Sequence, residues 1–204
     1  MEKLSDHIFV LPGHDSQGPN PKIVLLTGKE SSLLIDVSND PKQLDEMLAF
    51  CKNEGLSAVK FVALTHFHDD HIGNLIYLPS GIEILASKNT ARYINRPVTI
   101  LEKDTILDLG GYAISLILVP SLHAKGCLDV LAENYLFVGD SLYYRQSGSS
   151  YYYNPQIAYE MEKKVESIPF GIAVSAHDSP NHTKAEVMDY LTRLAQNGIQ
   201  NDWE

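Results

Sequence analysis

The run Thr65-His66-Phe67-His68-Asp69-Asp70-His71 follows an apolar segment, Val59 to Leu64, with the composition of a buried strand. Three of the chain's eight histidines and an aspartate fall here at the spacing His-x-His-x-Asp-His. In extended backbone, residues i and i+2 point the same way, so His66 and His68 can present both imidazoles to one ion as the strand runs out. Asp70 and His71 come at a turn into Ile72 to Leu78, and a turn can aim consecutive side chains at a second point. Neutral imidazole and carboxylate suit zinc, iron or manganese, and the run holds no thiolate. The bland alternative is a solvated His-rich loop; the rarity of this spacing weighs against it.

With that run the chain resembles the metallo-β-lactamase superfamily, whose signature it matches at every position. The resemblance implies further ligands downstream: a His on a loop after a later strand, an Asp closing another strand, and a last His at the end of a strand near the C-terminus. His123 after Ala113 to Val119, Asp140 after Tyr135 to Val138, and His177 after Ile172 to Ala176 stand in that order. By resemblance, His66, His68 and His123 bind one metal, Asp70, His71 and His177 bind a second, and Asp140 bridges both. The implied cofactors are two divalent ions, zinc first, with iron or manganese as alternatives. Asp36, in Leu33-Leu34-Ile35-Asp36, stands where the family carries an Asp that supports the ligands from behind, although an Asp closing a strand as a turn former reads the same way.

Two divalent ions roughly 3.5 to 4 Å apart can share a water and lower its pKa toward about 7, which makes hydroxide available without a side-chain base. Asp70 or Asp140 can then orient or accept the proton. The expected activity is therefore hydrolysis of a small ester, thioester, lactone or phosphodiester. Two alternatives stay open: an oxygenase resembling the persulfide dioxygenases, which uses one iron, and a non-catalytic binding module on the same fold. Many lactam-cleaving members carry Cys where this chain has Asp140, so the resemblance favours the glyoxalase II and lactonase-like branch. Glyoxalase II relatives add a C-terminal helical region that holds the glutathione moiety, whereas one helix is expected here after His177.

The segment following Asp140 concentrates five of eleven tyrosines between positions 143 and 153. Tyr143 and Tyr144 can donate to a developing oxyanion, and Arg145 can pair with a carboxylate or phosphate. The alternative is that these aromatics fill the gap under the loop or cover a subunit interface. Two other candidates for substrate contact are His14, in the Gly- and Pro-rich connection Pro12 to Pro21, and Lys125, in His123-Ala124-Lys125-Gly126; both also read as surface residues.

At 204 residues the chain is expected to be one domain, 1–204, large enough to bury a sizeable core without staples. A net charge of −10 argues against a phosphate-backbone footprint, so the expected partner is a small molecule, with a homo-oligomer possible and no nucleic acid. No apolar leader or run long enough to span a bilayer is present, which makes a cytoplasmic protein without membrane contact the expectation. Two distant cysteines do not make a disulfide framework, and Cys51 falls on the apolar face of an expected helix.

Ile8 to Leu11, Ile23 to Thr27 and Leu33 to Val37 read as an opening antiparallel meander. Asp40-Pro41-Lys42-Gln43 resembles a capping box that opens a helix through Leu44, Met47, Leu48 and Cys51 to Gly55. Short helices are expected over Asn74 to Leu78 and Ser87 to Ile94, and a strand over Ile82 to Ala86. Further strands cover Ile106 to Leu109, Tyr112 to Val119, Leu128 to Ala132 and Tyr135 to Val138. Helices then open at Asn154-Pro155 and at Thr183 to Glu186, the last ended by Gly198. Strands with a helix, twice over, imply two mixed β-sheets packed face to face with helices outside: a four-layer αββα sandwich.

Overall fold

A computed structural model describes residues 1–13, 20–147, 150–177 and 181–197; the side chains of 145–152 and of 197 lie outside that description. Strands β1 (Glu2–Lys3), β2 (Ile8–Leu11), β3 (Ile23–Thr27) and β4 (Ser32–Ile35) form an antiparallel meander. Helix α1 (Pro41–Asn53) then carries the chain across to β5 (Val59–Ala63), which adds to the same sheet in parallel. The one-turn helix α2 (Asp69–Ile72) and a 3-10 turn, Gly73–Tyr77, lead to β6 (Glu83–Ser87); α3 (Lys88–Ala91) leads to β7 (Thr99–Leu101), and both strands are again parallel.

The second sheet begins with the antiparallel strands β8 (Thr105–Asp108), β9 (Ala113–Val119), β10 (Cys127–Ala132) and β11 (Tyr135–Gly139). A separate hairpin, β12 (Arg145–Ser147) with β13 (Ser150–Tyr152), precedes α4 (Pro155–Glu166). Strand β14 (Ile172–Ser175) joins β11 in parallel, β15 (His182–Thr183) closes that edge, and α5 (Lys184–Asn197) follows. The order is β15-β14-β11-β10-β9-β8.

Alternation of side chains along these strands creates three apolar layers. Ile8, Val24, Leu26 and Leu33 of the first sheet meet Ile114, Leu116, Leu128 and Phe137 of the second between the sheets. Leu44, Met47 and Cys51 of α1 pack on the outer face of the first sheet, over Leu25, Leu34 and Val62. Ala158, Met161 and Val165 of α4, with Val187, Leu191 and Leu194 of α5, cover the outer face of the second. This is the four-layer αββα arrangement.

Several local expectations change. Asp40 caps α1 by accepting from the Lys42 N–H at 3.0 Å, but Gln43 does not return the bond. It is buried, and its amide donates to the carbonyls of Pro12 (3.1 Å) and Pro21 (2.8 Å), tying the ends of that connection to the helix. The box at Thr183 does close: Glu186 accepts from the Thr183 N–H at 2.7 Å while its own N–H donates to Thr183 Oγ1 at 3.3 Å. The helix expected over Ser87 to Ile94 is regular only over Lys88–Ala91, and the one after the His run is a 3-10 turn. A hairpin occupies part of the Tyr-rich segment where a loop was expected. Gly198 lies outside the described residues.

Candidate metal centre

Strands β4, β5, β9, β11 and β14 all point their C-terminal ends at one edge of the sandwich, and the chemistry-bearing residues sit on the connections leaving those ends. At the end of β4 the backbone turns through the left-handed region at Asp36 (φ 58°) and Ser38 (φ 59°), which costs on the order of 1 kcal/mol per non-Gly residue. The return is a carboxylate aimed inward. Asp36 Oδ1 accepts from the Thr65 N–H and Oδ2 from the Thr65 hydroxyl, both at 2.8 Å, and Oδ2 also meets His71 Nδ1 at 2.7 Å. That last contact makes Nδ1 the protonated nitrogen of His71 and turns Nε2 toward the centre. Thr65 is held from the other side by Gly139, whose φ of 51° and whose distance of 2.6 Å from a would-be Cβ to Thr65 Cβ leave no room for a side chain.

Main-chain bonds lock the remaining connections together. The Leu128 N–H donates to the Thr65 carbonyl at 2.8 Å, Leu122 to Ser141 at 3.3 Å, and Ala176 to Gly139 at 3.0 Å. Hence the His run, His123, Asp140 and His177 are placed by the same edge of the fold.

Two groups of donors result. His66, His68 and His123 bring their ring nitrogens within 4.8 Å of one another, with His66 Nε2 and His123 Nε2 each 2.9 Å from His68 Nδ1. Asp70, His71, Asp140 and His177 form the second group within the same limit. There His177 Nε2 lies 3.3 Å from Asp70 Oδ2 and 3.5 Å from Asp140 Oδ1, and His71 Nε2 lies 3.4 Å from Asp140 Oδ2. The same Asp140 Oδ2 is 3.5 Å from His123 Nε2 and 3.9 Å from His66 Nε2, so one carboxylate reaches both groups.

The electrostatics divide along the same line. Burial pushes His66 down to about 2, with neighbouring His71 adding to the effect, and burial lowers His123 as well. Burial also opposes the charged form of His71, yet Asp36 and Asp140 outweigh it and hold that ring up at about 10. His177 is treated in the same way by Asp140 and Asp70 and rises to about 9. Against burial, His177 and His71 hold Asp140 well below the carboxylate range, and Asp70 is lowered mainly by His177. One group is thus three imidazoles of which two are held neutral, and the other is two carboxylates facing two imidazolium ions.

The donors fit divalent cations. Within this buried cluster the His71 Nε2 and Asp140 Oδ1 atoms have no hydrogen-bond partner among the described residues, an expensive situation for groups removed from water. Nitrogen and carboxylate oxygen converging without any thiolate is the donor chemistry of zinc, iron or manganese.

Among the other candidates, Tyr143 stands beside both groups. Its ring centroid is 6.4 Å from that of His123 and 6.5 Å from that of His177, and its hydroxyl is 2.7 Å from Ser175 Oγ. Tyr144 packs into the layer under α4 and α5, near Tyr153. Lys125 is exposed and turned to solvent. His14 and the Arg145 side chain lie outside the described residues. Ser175 was not anticipated, because a serine ending an apolar strand carries no signal by itself. Nor was the stack of Phe67 on Tyr93, with centroids 4.2 Å apart and planes at 13°, which forms an aromatic flank on the His run.

A model of the metallo-beta-lactamase superfamily matches residues 20–85. Over 96% of this chain and 98% of the other, the fold superposes on a metallo-beta-lactamase from Pontibacter korlensis with a TM-score of 0.74 at 19% identity. The chain has the metallo-β-lactamase fold. A lactamase-like protein of Pestalotiopsis microspora is 31% identical over 153 residues, 70% of this chain and 46% of that protein. A hydroxyacylglutathione hydrolase of Haemophilus ducreyi is 26% identical over 133 residues, 64% of this chain and 55% of that enzyme. This metallo-β-lactamase-fold chain therefore spans about half the length of the curated relatives it matches. Among its described residues no helix is long and apolar enough to cross a membrane.

Proposed function

We propose that the protein is a hydrolase of small esters, thioesters or lactones that works with a pair of divalent cations, zinc first. The observation that carries this reading is the Asp140 carboxylate, within 3.9 Å of His66 and His123 on one side and 3.5 Å of His71 and His177 on the other. His66, His68 and His123 would hold one cation; Asp70, His71 and His177 would hold the other, with Asp140 between. Such cations supply a Lewis acid and an acidified water at neutral pH. Asp70, the more exposed of the two carboxylates, is the group suited to take up and pass on the proton of that water. Tyr143, flanking both groups with its hydroxyl oriented by Ser175, can donate a hydrogen bond to oxygen charge developing on the substrate. His71 keeps a single tautomer through Asp36. Similarity to a hydroxyacylglutathione hydrolase supports a thioester among the substrates.

Because the second group is complete, a one-iron oxygenase is the weaker reading. Protein loaded in turn with zinc, manganese and ferrous iron, offered a panel of esters, thioesters and lactones, tests the choice. Hydrolysis is expected, abolished by His66→Ala and by Asp140→Ala with the circular dichroism spectrum retained. Oxygen uptake on a persulfide by protein holding one iron, with no hydrolysis in any form, would overturn the proposal.

A further inference from the structure

A cavity of about 780 Å³ opens beside His123 and extends to α5. That volume is typical of a site for a ligand well beyond the size of an acetyl group. On the side of the catalytic edge it is bounded by Leu142, Tyr143 and Tyr144, which follow Asp140; on the far side it is bounded by Val187 and Tyr190 of α5. The Tyr190 hydroxyl donates to the Leu142 carbonyl at 3.0 Å. This bond joins the two walls and leaves the Tyr190 ring as an apolar surface. Two charged side chains at the rim, Arg193 and Glu186, already have partners, and His182 also lines the cavity. Arg193 pairs with Asp189 at 3.0 Å, and Glu186 accepts two hydrogen bonds from Thr183 in the capping box. A charged substrate arm would have to compete with those contacts, whereas an uncharged apolar arm meets Leu142, Val187 and the Tyr190 ring without displacing any of them.

We propose that this cavity receives the apolar arm of the substrate, a medium-length acyl or arylalkyl chain, and that Val187 and Tyr190 determine how long an arm is accepted. The inference rests on the hydrolase reading for its assignment of the scissile group to the His123 end. Burying a methylene is worth a factor of roughly four in affinity, so a chain that fills the cavity gains rapidly over acetyl.

The test uses the full chain loaded with zinc and compares kcat/KM for p-nitrophenyl acetate, butyrate and octanoate. Calorimetric titration with the acetate and octanoate anions runs beside it as a readout independent of turnover. Octanoate is expected to be preferred over acetate at least tenfold in both measurements. Val187→Phe, which fills the cavity, should cut that ratio at least tenfold. Because Val187 is 3% exposed and its replacement can disturb packing, Tyr190→Ala serves as the second variant and should shift the preference toward longer chains such as decanoate. A flat chain-length profile in both readouts, or variants that keep the wild-type ratios, would overturn the inference while leaving hydrolysis intact. If no ester is cleaved but octanoate binding keeps its preference and responds to both variants, the cavity assignment stands and the hydrolase reading fails.

Discussion

Asp36 and His71, 35 positions apart in sequence, are joined by a hydrogen bond of 2.7 Å between Oδ2 and Nδ1 in a site where both are almost fully buried. The aspartate also takes both donors of Thr65, so it couples the ring that faces the centre to the backbone that starts the His run. Asp36→Asn keeps the shape but loses the charge and can present an N–H to a nitrogen that itself carries hydrogen. Cation affinity at the Asp70, His71, Asp140 and His177 group should fall about 10- to 100-fold, the usual cost of losing an outer partner of a ligand. Competition with a chromophoric chelator measures this. Unchanged affinity would mean that His71 needs no such orientation.

Proton release should distinguish the two donor groups. Without a cation, His71 at about 10 and His177 at about 9 are both raised above the ordinary 6.5. Each therefore contributes stability that is full below pH 6.5 and lost as the pH rises through its folded value. A cation entering their group must displace both protons, while His66, at about 2, and the lowered His123 have none to give up near neutrality. Titrating the protein with zinc in buffers of different ionisation enthalpy should show one binding event nearly free of protons and a second releasing about two at pH 7. The affinity of the second event should weaken as the pH falls. Two events with the same proton count would contradict the assigned charge states.

Legibility in the sequence followed the physical range of each signal. The His run was readable because its spacing is local, and His123, Asp140 and His177 were readable because each follows an apolar strand in the order the superfamily resemblance implies. Helix α1 was readable from its Pro41 start and from Leu44, Met47 and Cys51 at helical spacing. Contacts made at a distance were not. Gln43 looked like a local cap and instead bonds to residues 22 and 31 positions away. Ser175 matters only because Tyr143, 32 residues earlier, reaches it. The strands β1 and β12 to β13 are two or three residues each, too short for a period-2 pattern to register. The cavity requires α5 to be docked before it exists.

Gly139 is a position where the fold and the site depend on the same missing side chain. Alanine there would place a Cβ 2.6 Å from both Thr65 Cβ and Thr65 Oγ1, at a φ of 51° that L residues rarely adopt. Thr65 cannot retreat without loosening its bonds to Asp36. Gly139→Ala should lower stability by about 1 to 3 kcal/mol and weaken cation binding as Asp140, the next residue, is displaced. Thermal melts and chelator competition on the same samples check both halves. A variant with the wild-type Tm would show that Thr65 has more freedom than this packing allows.

Asp129 of β10 is buried on the helix side of the second sheet, and among the described residues no group meets either carboxylate oxygen in good hydrogen-bond geometry. Burial raises its pKa well above the carboxylate range, and the Ser141 hydroxyl and the Lys164 charge counter this only in part. The unfolded chain releases this proton near pH 4, whereas the folded protein keeps it to a much higher pH. Between those values folding takes up a proton, so stability contributed by this group falls as the pH rises, the reverse of a salt-bridged aspartate. Asp129→Asn has no proton to take up. It should match wild type near pH 4 and exceed it by about 1 to 3 kcal/mol at pH 8, measured by urea unfolding at both pH values. If the variant is instead the less stable protein at pH 8, the carboxylate is ionised and paired in the folded state, and the buried contact that holds it would have to be sought around Ser141 and Lys164.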